Sequence, residues 1–283
     1  APGAGEDGLL SRLPGVKELD GLAKVLKLPT SSEVEGLARE VLRDAGRAIP
    51  GSTDGVMSVT TFQSPLVSFA YERGWRQGFA ASGFPGPDEE YRLAKELLER
   101  PLAARTAAGP AALLDCSCGS GLFARRFAGD ADLAFEEVVA LDFSEAMLRQ
   151  LNAFAAKEAG PTPYAGYPRR LRLTRGDVGR LPLASGSVAG AHAGAAIHCW
   201  PAPEIAMAEL ARALEPGAAL VLTTFRKNAV GGRMVWRNRT SSQGYRFWEE
   251  EDLRLLMRQA GLVNFEAIQR EPAFIMAKAE RPR

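Results

Sequence analysis

The stretch LLDCSCGSG, Leu113 to Gly121, decides the fold. An apolar run closed by Asp115 and followed by a turn with Gly119 and Gly121 reads as a buried strand entering a tight turn, and Leu122 to Phe127 continues as a helix. Glycine reaches positive φ without steric cost and lets a ligand approach the main chain, so such a turn suits a nucleotide-like cofactor at a helix N-terminus. Glycine pairs also occupy strand-to-helix turns that bind nothing. The turn alone therefore does not establish a ligand.

Downstream, VVALDFSEAML forms a second apolar strand, Val138 to Leu141, that ends in Asp142. A carboxylate at that strand tip can accept both hydroxyls of a ribose, as in a dinucleotide fold. A third feature is RGDVGRLPLASGSV, where Asp177 and Val178 suit the amino group and ring of an adenine. Three features at these spacings are more specific than one glycine turn.

Two cofactors fit such a half-fold. Gly119-Ser-Gly121-Leu-Phe-Ala124 satisfies GxGxxA, which keeps NAD open. Asp115, at the end of the first strand, would stand close to a pyrophosphate and suits a cation better. S-adenosylmethionine carries an ammonium and a sulfonium and is favoured on that ground.

The order Asp142, Gly176-Asp177, Leu181-Pro182, a strand ending near His198, then RALEPGAALVLTTF resembles the class I S-adenosylmethionine-dependent methyltransferases, and more closely their ubiquinone/menaquinone-biosynthesis-like branch. The strings FQSPLVSFAYERGWRQGF, ASGFPGPDEEY, CSCGSGLFARRF and HAGAAIHCWPAP narrow the resemblance to a group of chloroplast methyltransferases of plants and algae, over about residues 60 to 280. The resemblance implies an α/β, Rossmann-like fold. Its sheet has seven mostly parallel strands with one antiparallel member, and helices cover both faces. It also implies a chloroplast setting, stroma or plastoglobule. It assigns Asp115, Ser117, Gly119, Gly121, Asp142, Phe143, Met147, Asp177, Val178 and Ala193 to the cofactor, with Phe143 against the adenine. Two departures stand out. Residues 1 to 60 contain no Cys where members often carry a zinc-ribbon-like segment, and Ser117 replaces the first glycine usual in the cofactor loop.

With 283 residues, 46% of them hydrophobic, the chain can bury one large core. Lys plus Arg is 35 against 34 Asp plus Glu, so no global field draws the chain to nucleic acid or membrane. Cys116, Cys118 and Cys199 do not form a disulfide framework or a structural metal site. No apolar run reaches 18 residues. The chain begins at Ala1 and not at Met, as a processed or excerpted sequence would.

The organisation reads as a helical N-terminal extension over 1–60 and a catalytic domain over 61–283. Residues 8–27 and 31–49 carry helical periodicity, the second with Ser32 and Glu35 as a capping box. Strands are expected near 111–116, 137–142, 170–174, 188–195 and 217–225, with helices at 120–128, 145–157 and 203–214. A helix at 249–260 and two final strands, Val263 to Gln269 and Ala273 to Ala277, complete the sheet.

Methyl transfer from a sulfonium is an in-line displacement, accelerated mainly by holding the reacting atoms collinear. A general base helps where the acceptor is phenolic. The chain has two His, His192 and His198, both expected at the strand tip facing the methyl donor, with His198 beside Trp200 the better catalytic candidate. Tyr71, with Trp75, is expected to place an aromatic face against the sulfonium. The acceptor expected is small and apolar, such as a prenylquinone precursor. Residues 226–246 hold six Lys or Arg and no Asp or Glu, interleaved with Trp236 and Tyr245. They read as a solvated loop or as a contact for a membrane surface, RNA or protein partner. Two other readings stay open: a methyltransferase-fold subunit or assembly factor of a plastid complex with little turnover, and an NAD-dependent reductase.

Overall fold

A computed structural model describes residues 79–80, 83–161, 164–226, 246–270 and 273–283. The expected helices at 8–27 and 31–49, Tyr71, Trp75 and the basic residues 227–245 lie outside the described residues.

Seven strands form one sheet: β1 (Ala112–Cys116), β2 (Glu137–Asp142), β3 (Arg170–Arg175), β4 (Val188–Ala193), β5 (Leu214–Phe225), β6 (Val263–Arg270) and β7 (Phe274–Glu280). Their order is β3-β2-β1-β4-β5-β7-β6. β1 to β5 pair in parallel, and β7 runs antiparallel to both β5 and β6. The expected sheet is therefore the one found. β4 stops at Ala193 and not at 195, because Ala195 turns to φ 50° and leaves the ladder. β5 starts three residues early, at Leu214, because its pairing with β4 shifts register between Val188 and Gly190 and takes in the Glu215-Pro216-Gly217 step.

Side chains alternate across the sheet and sort the core into two layers. Leu113, Val138 and Ala140 face one layer, which is closed by α1 (Pro87–Leu102), α2 (Leu122–Gly129) and α3 (Glu145–Ala159). Leu114, Val139 and Leu141 face the other, against α4 (Pro203–Ala213) and α5 (Glu250–Gln259). Each fully buried Leu contributes about 1.5–3 kcal/mol, and β1 is buried along its whole length.

The chain runs outward from β1 to β2 and β3, then crosses back to β4 on the other side of β1. Connections from β1 and β4 thus leave toward opposite edges, and in an open parallel sheet this opens a crevice at the carboxyl ends of those two strands. The residues expected to bind a cofactor lie at the carboxyl ends of β1, β2 and β4 or in the segments that follow β1, β2 and β3.

Gly190 lets Phe135 lie flat on the middle of β4. A Cβ there would sit 2.8 Å from Phe135 Cζ and 2.9 Å from Cε1. Gly190→Ala is expected to cost about 1–3 kcal/mol by overpacking, read as a lowered midpoint in urea unfolding with unchanged slope.

Candidate functional site

After Cys116 the chain turns through Ser117 (φ 54°), Gly119 (φ 57°) and Gly121 (φ 78°) into α2. Gly121 is required twice over, by its φ and because a Cβ would lie 2.3 Å from Leu151 Cγ on α3. The turn is wired to the tip of β2. Cys118 N–H donates to the Leu141 carbonyl at 3.0 Å, and Gly119 N–H donates to Asp142 Oδ2 at 2.8 Å. Ser144 N–H donates to Asp142 Oδ1 at 2.8 Å. Ser144 also caps α3, its hydroxyl accepting from Met147 N–H.

Burial pushes the Asp142 carboxyl up to about 6, against the lowering effect of the Ser144 and Gly119 N–H groups and with a further push from the charge of Asp115. A carboxylate offers about four lone-pair positions, and the Gly119, Ser144 and, more weakly, Phe143 N–H groups do not exhaust them, so its oxygens can still accept from a ribose hydroxyl. The site fits a nucleoside on this count.

His192 corrects the sequence reading through its pairing with Asp115. They sit side by side in the β1–β4 register, and His192 Nδ1 meets Asp115 Oδ1 at 2.7 Å with both side chains buried. His192 packs edge-on against Phe123 and Phe127, at 5.0 and 5.3 Å between ring centres. It does not stand at a strand tip facing a methyl donor, because strand alternation at position 192 directs it into the layer under α2. Asp115 stands near the end of β1, as expected, and is held there by His192. Its Oδ2 is buried with no protein hydrogen-bond partner. That orphaned acceptor fits a cationic group of a ligand, as the expected ammonium would be.

The remaining residues assigned to the cofactor fall around the same rim. Phe143 is half-buried next to Asp142, and its carbonyl accepts from Arg175 Nε. Met147 is buried in the first turn of α3 and Ala193 at the end of β4. Asp177 is exposed beyond β3 and turns the chain by accepting from Gly179 N–H at 2.8 Å, while Val178 beside it is buried.

His198 lies in a 3-10 turn, Ile197–Cys199, beyond β4. Its Nδ1 is 3.3 Å from Thr224 Oγ1, and its ring stands edge-on to Phe225 at 5.0 Å. Phe79, Phe84 and Phe247 gather around Phe225 at 5.0, 4.8 and 6.3 Å, an aromatic cluster at the carboxyl end of β5. Trp200 Nε1–H donates to Ser117 Oγ at 3.0 Å. Burial raises the thiols of Cys116, Cys118 and Cys199, keeping them protonated. No group of three His, Cys, Asp or Glu suited to a metal occurs among the described residues.

Sequence reasoning missed Glu90 and Thr223. Glu90 is buried on α1 and accepts from Thr223 Oγ1–H at 2.9 Å, and Thr223 Oγ1 accepts from Ala195 N–H at 2.8 Å. The signal was an acid on the apolar stripe of α1, four, seven and eight residues before Ala94, Leu97 and Leu98.

Residues 114–222 match the family described as a methyltransferase domain. Two uncharacterised chloroplastic methyltransferases of Arabidopsis thaliana are each 42% identical to 80% of this chain, which spans 61% and 62% of their lengths. The chain therefore covers about three-fifths of these curated relatives. Among solved structures, phosphoethanolamine N-methyltransferase 2 of Haemonchus contortus, bound to phosphomonomethylethanolamine and S-adenosylhomocysteine, shares the fold. The TM-score is 0.55 at 15% identity, over 78% of this chain and 60% of that one.

Removing one partner of a buried pair strands the other. His192→Leu should lower stability by about 3–5 kcal/mol in urea unfolding, with the Asp115 carboxylate left unpaired between the strands.

Proposed function

We propose, from the premise that residues 114–222 form a methyltransferase domain of the S-adenosylmethionine-dependent class, that this chain transfers a methyl group to a small, apolar acceptor such as a prenylquinone precursor. We place the activity in the chloroplast, in the stroma or at plastoglobules, in keeping with the chloroplastic relatives. The observation that carries the reading is the Asp142 carboxylate, fixed at the tip of β2 by Gly119 N–H of the glycine turn and by Ser144 N–H.

When bound, S-adenosylmethionine supplies an electrophilic methyl group on a sulfonium, displaced in line by the acceptor. Asp142 would accept the ribose hydroxyls, Asp115 Oδ2 would face the ammonium, and Gly119 with Gly121 would give main-chain approach. Asp177, Val178, Phe143 and Met147 would enclose the adenine, with Ser117 and Ala193 lining the strand ends. Such a constellation mainly orients, which is what an in-line displacement requires.

On the acceptor side the supporting feature is the ring cluster about Phe225. Aromatic faces suit a flat apolar ring and exclude water from it. When His198 donates its Nδ1–H to Thr224 Oγ1, Nε2 is left as the basic nitrogen, able to take a phenolic proton. In this reading Tyr71 contributes an aromatic face to the sulfonium.

Calorimetric titration with S-adenosylmethionine and S-adenosylhomocysteine tests the cofactor, with Asp142→Ala as control. Binding in the parent chain and its loss in the variant are expected. No binding in the parent would shift the assignment to a non-catalytic subunit. Transfer of labelled methyl to quinol precursors then tests the acceptor class.

The Asp142 carboxyl also makes binding pH-dependent. Hydroxyl donors favour the ionised form, so affinity should fall as the group protonates through about 6. The Kd for S-adenosylhomocysteine is expected to rise about tenfold between about pH 7 and about pH 5. The unliganded fold moves the opposite way. A carboxyl raised by folding contributes stability that is complete below 3.8 and is lost as pH rises through about 6. Calorimetry across this range, beside thermal melts without ligand, checks both signs.

A further inference from the structure

Ser117 is one of four non-glycine residues at positive φ among the described residues, and it stands where the chain leaves β1 for the glycine turn. A side chain in the left-handed region is disfavoured, and glycine would be the cheaper occupant. Persistent strain of this kind concentrates where geometry serves function. Here the side chain has a definite partner: Trp200 Nε1–H donates to Ser117 Oγ at 3.0 Å. The indole is buried, and it immediately follows the 3-10 turn that carries His198.

That turn is held at three points. Trp200 ties its end to the cofactor loop, Thr224 Oγ1 meets His198 Nδ1 from β5, and Arg246 N–H donates to the His198 carbonyl at 2.9 Å. The first of these reaches the glycine turn, where Gly119 N–H is bonded to Asp142. A ligand that engages Asp142 acts on the Gly119 bond, and Ser117 lies two residues before Gly119.

We propose that Trp200 is a positioning residue: its bond to Ser117 couples the cofactor loop to the segment that carries His198, so that filling the cofactor site resets the imidazole on the acceptor side. This rests on S-adenosylmethionine being the cofactor. A glycine at 117 would build the same turn with less strain and no such link. Coupling of this sort is a difference between two occupancy states and has to be read as one.

The chain contains only two His, so its imidazole NMR signals form two sets, assigned with His198→Gln. His192 is buried against Asp115, Phe123 and Phe127 and serves as an internal gauge of the fold. The His198 signals are recorded without ligand and with saturating S-adenosylhomocysteine, saturation being verified by calorimetry for each protein. In the parent chain they should shift. In Trp200→Phe, which keeps the ring and removes the N–H, and in Ser117→Gly, which removes the hydroxyl and relaxes the backbone, the shift should be lost while the ligand-free His192 signals match those of the parent. The double variant should behave as either single one, since both remove the same bond.

An equal ligand-induced shift in parent and variants overturns the coupling, as does a parent that binds the ligand with His198 unmoved. A parent that binds no S-adenosylhomocysteine defeats the cofactor assignment instead, a result that calorimetry alone identifies. If one variant moves the His192 signals, the other decides.

Discussion

The structure depends on the bond between Gly119 N–H and the Asp142 carboxylate. β1 and β2 are neighbours in a parallel sheet whose ladder ends at Cys116 and Leu141, and beyond it the two segments part. A charged acceptor at the tip of one and a main-chain donor in the turn of the other close that gap, and Cys118 N–H to Leu141 closes it a second time. Hydrogen bonds to a charged group contribute about 1.5–3 kcal/mol, more than ordinary ones. The cost is a buried carboxyl whose ionisation is held near neutrality by desolvation. The oxygens and the turn are thereby held in place before any ligand arrives, as the proposed diol site would require.

Strain accumulates on the two strands flanking the crevice. Ser117 beyond β1 and Ala195 beyond β4 both have positive φ, at about 1–2 kcal/mol each for a residue with a Cβ. Each is matched by a bond of comparable size, typically about 1 kcal/mol. Ser117 accepts from Trp200, and Ala195 N–H is held by Thr223, which leans on Glu90 of α1. Glycine at these positions would have made the turns easier and the loops less determinate. The crevice is bordered by conformations that only the surrounding contacts impose.

Most of the sheet was legible in the sequence because a parallel strand is buried on both faces and its apolar run is hard to mistake. The position of Asp142 at the tip of β2 was legible because the acid closes such a run. Misreadings arose where a side chain's direction mattered more than its position. His192 and His198 are six residues apart, and spacing alone puts both at the strand tip. Yet β4 ends at Ala193, so His192 obeys strand alternation and points beneath α2, whereas His198 lies beyond the ladder in a 3-10 turn. Asp115 likewise gained a partner no spacing rule predicts, because β1 and β4 are neighbours only through a crossover spanning two other strands. Glu90 pairs with Thr223 across 133 positions, beyond the reach of local pattern.

The two sides of the crevice differ in chemistry. On the β1–β2 side stand carboxylates: Asp142 at its strand tip and Asp115 with one orphaned oxygen. On the β5 side stand rings, Phe225 with Phe79, Phe84 and the imidazole of His198. In the proposed reading a cationic cofactor would be attracted to the first and an apolar acceptor to the second, and desolvation would discourage each from the other's place. The hydrogen bond from Trp200 to Ser117 is a direct side-chain bridge between them. In the proposed reading acceptors would be told apart on the ring side, because it is built from side chains gathered at the end of β5 and not from the glycine turn.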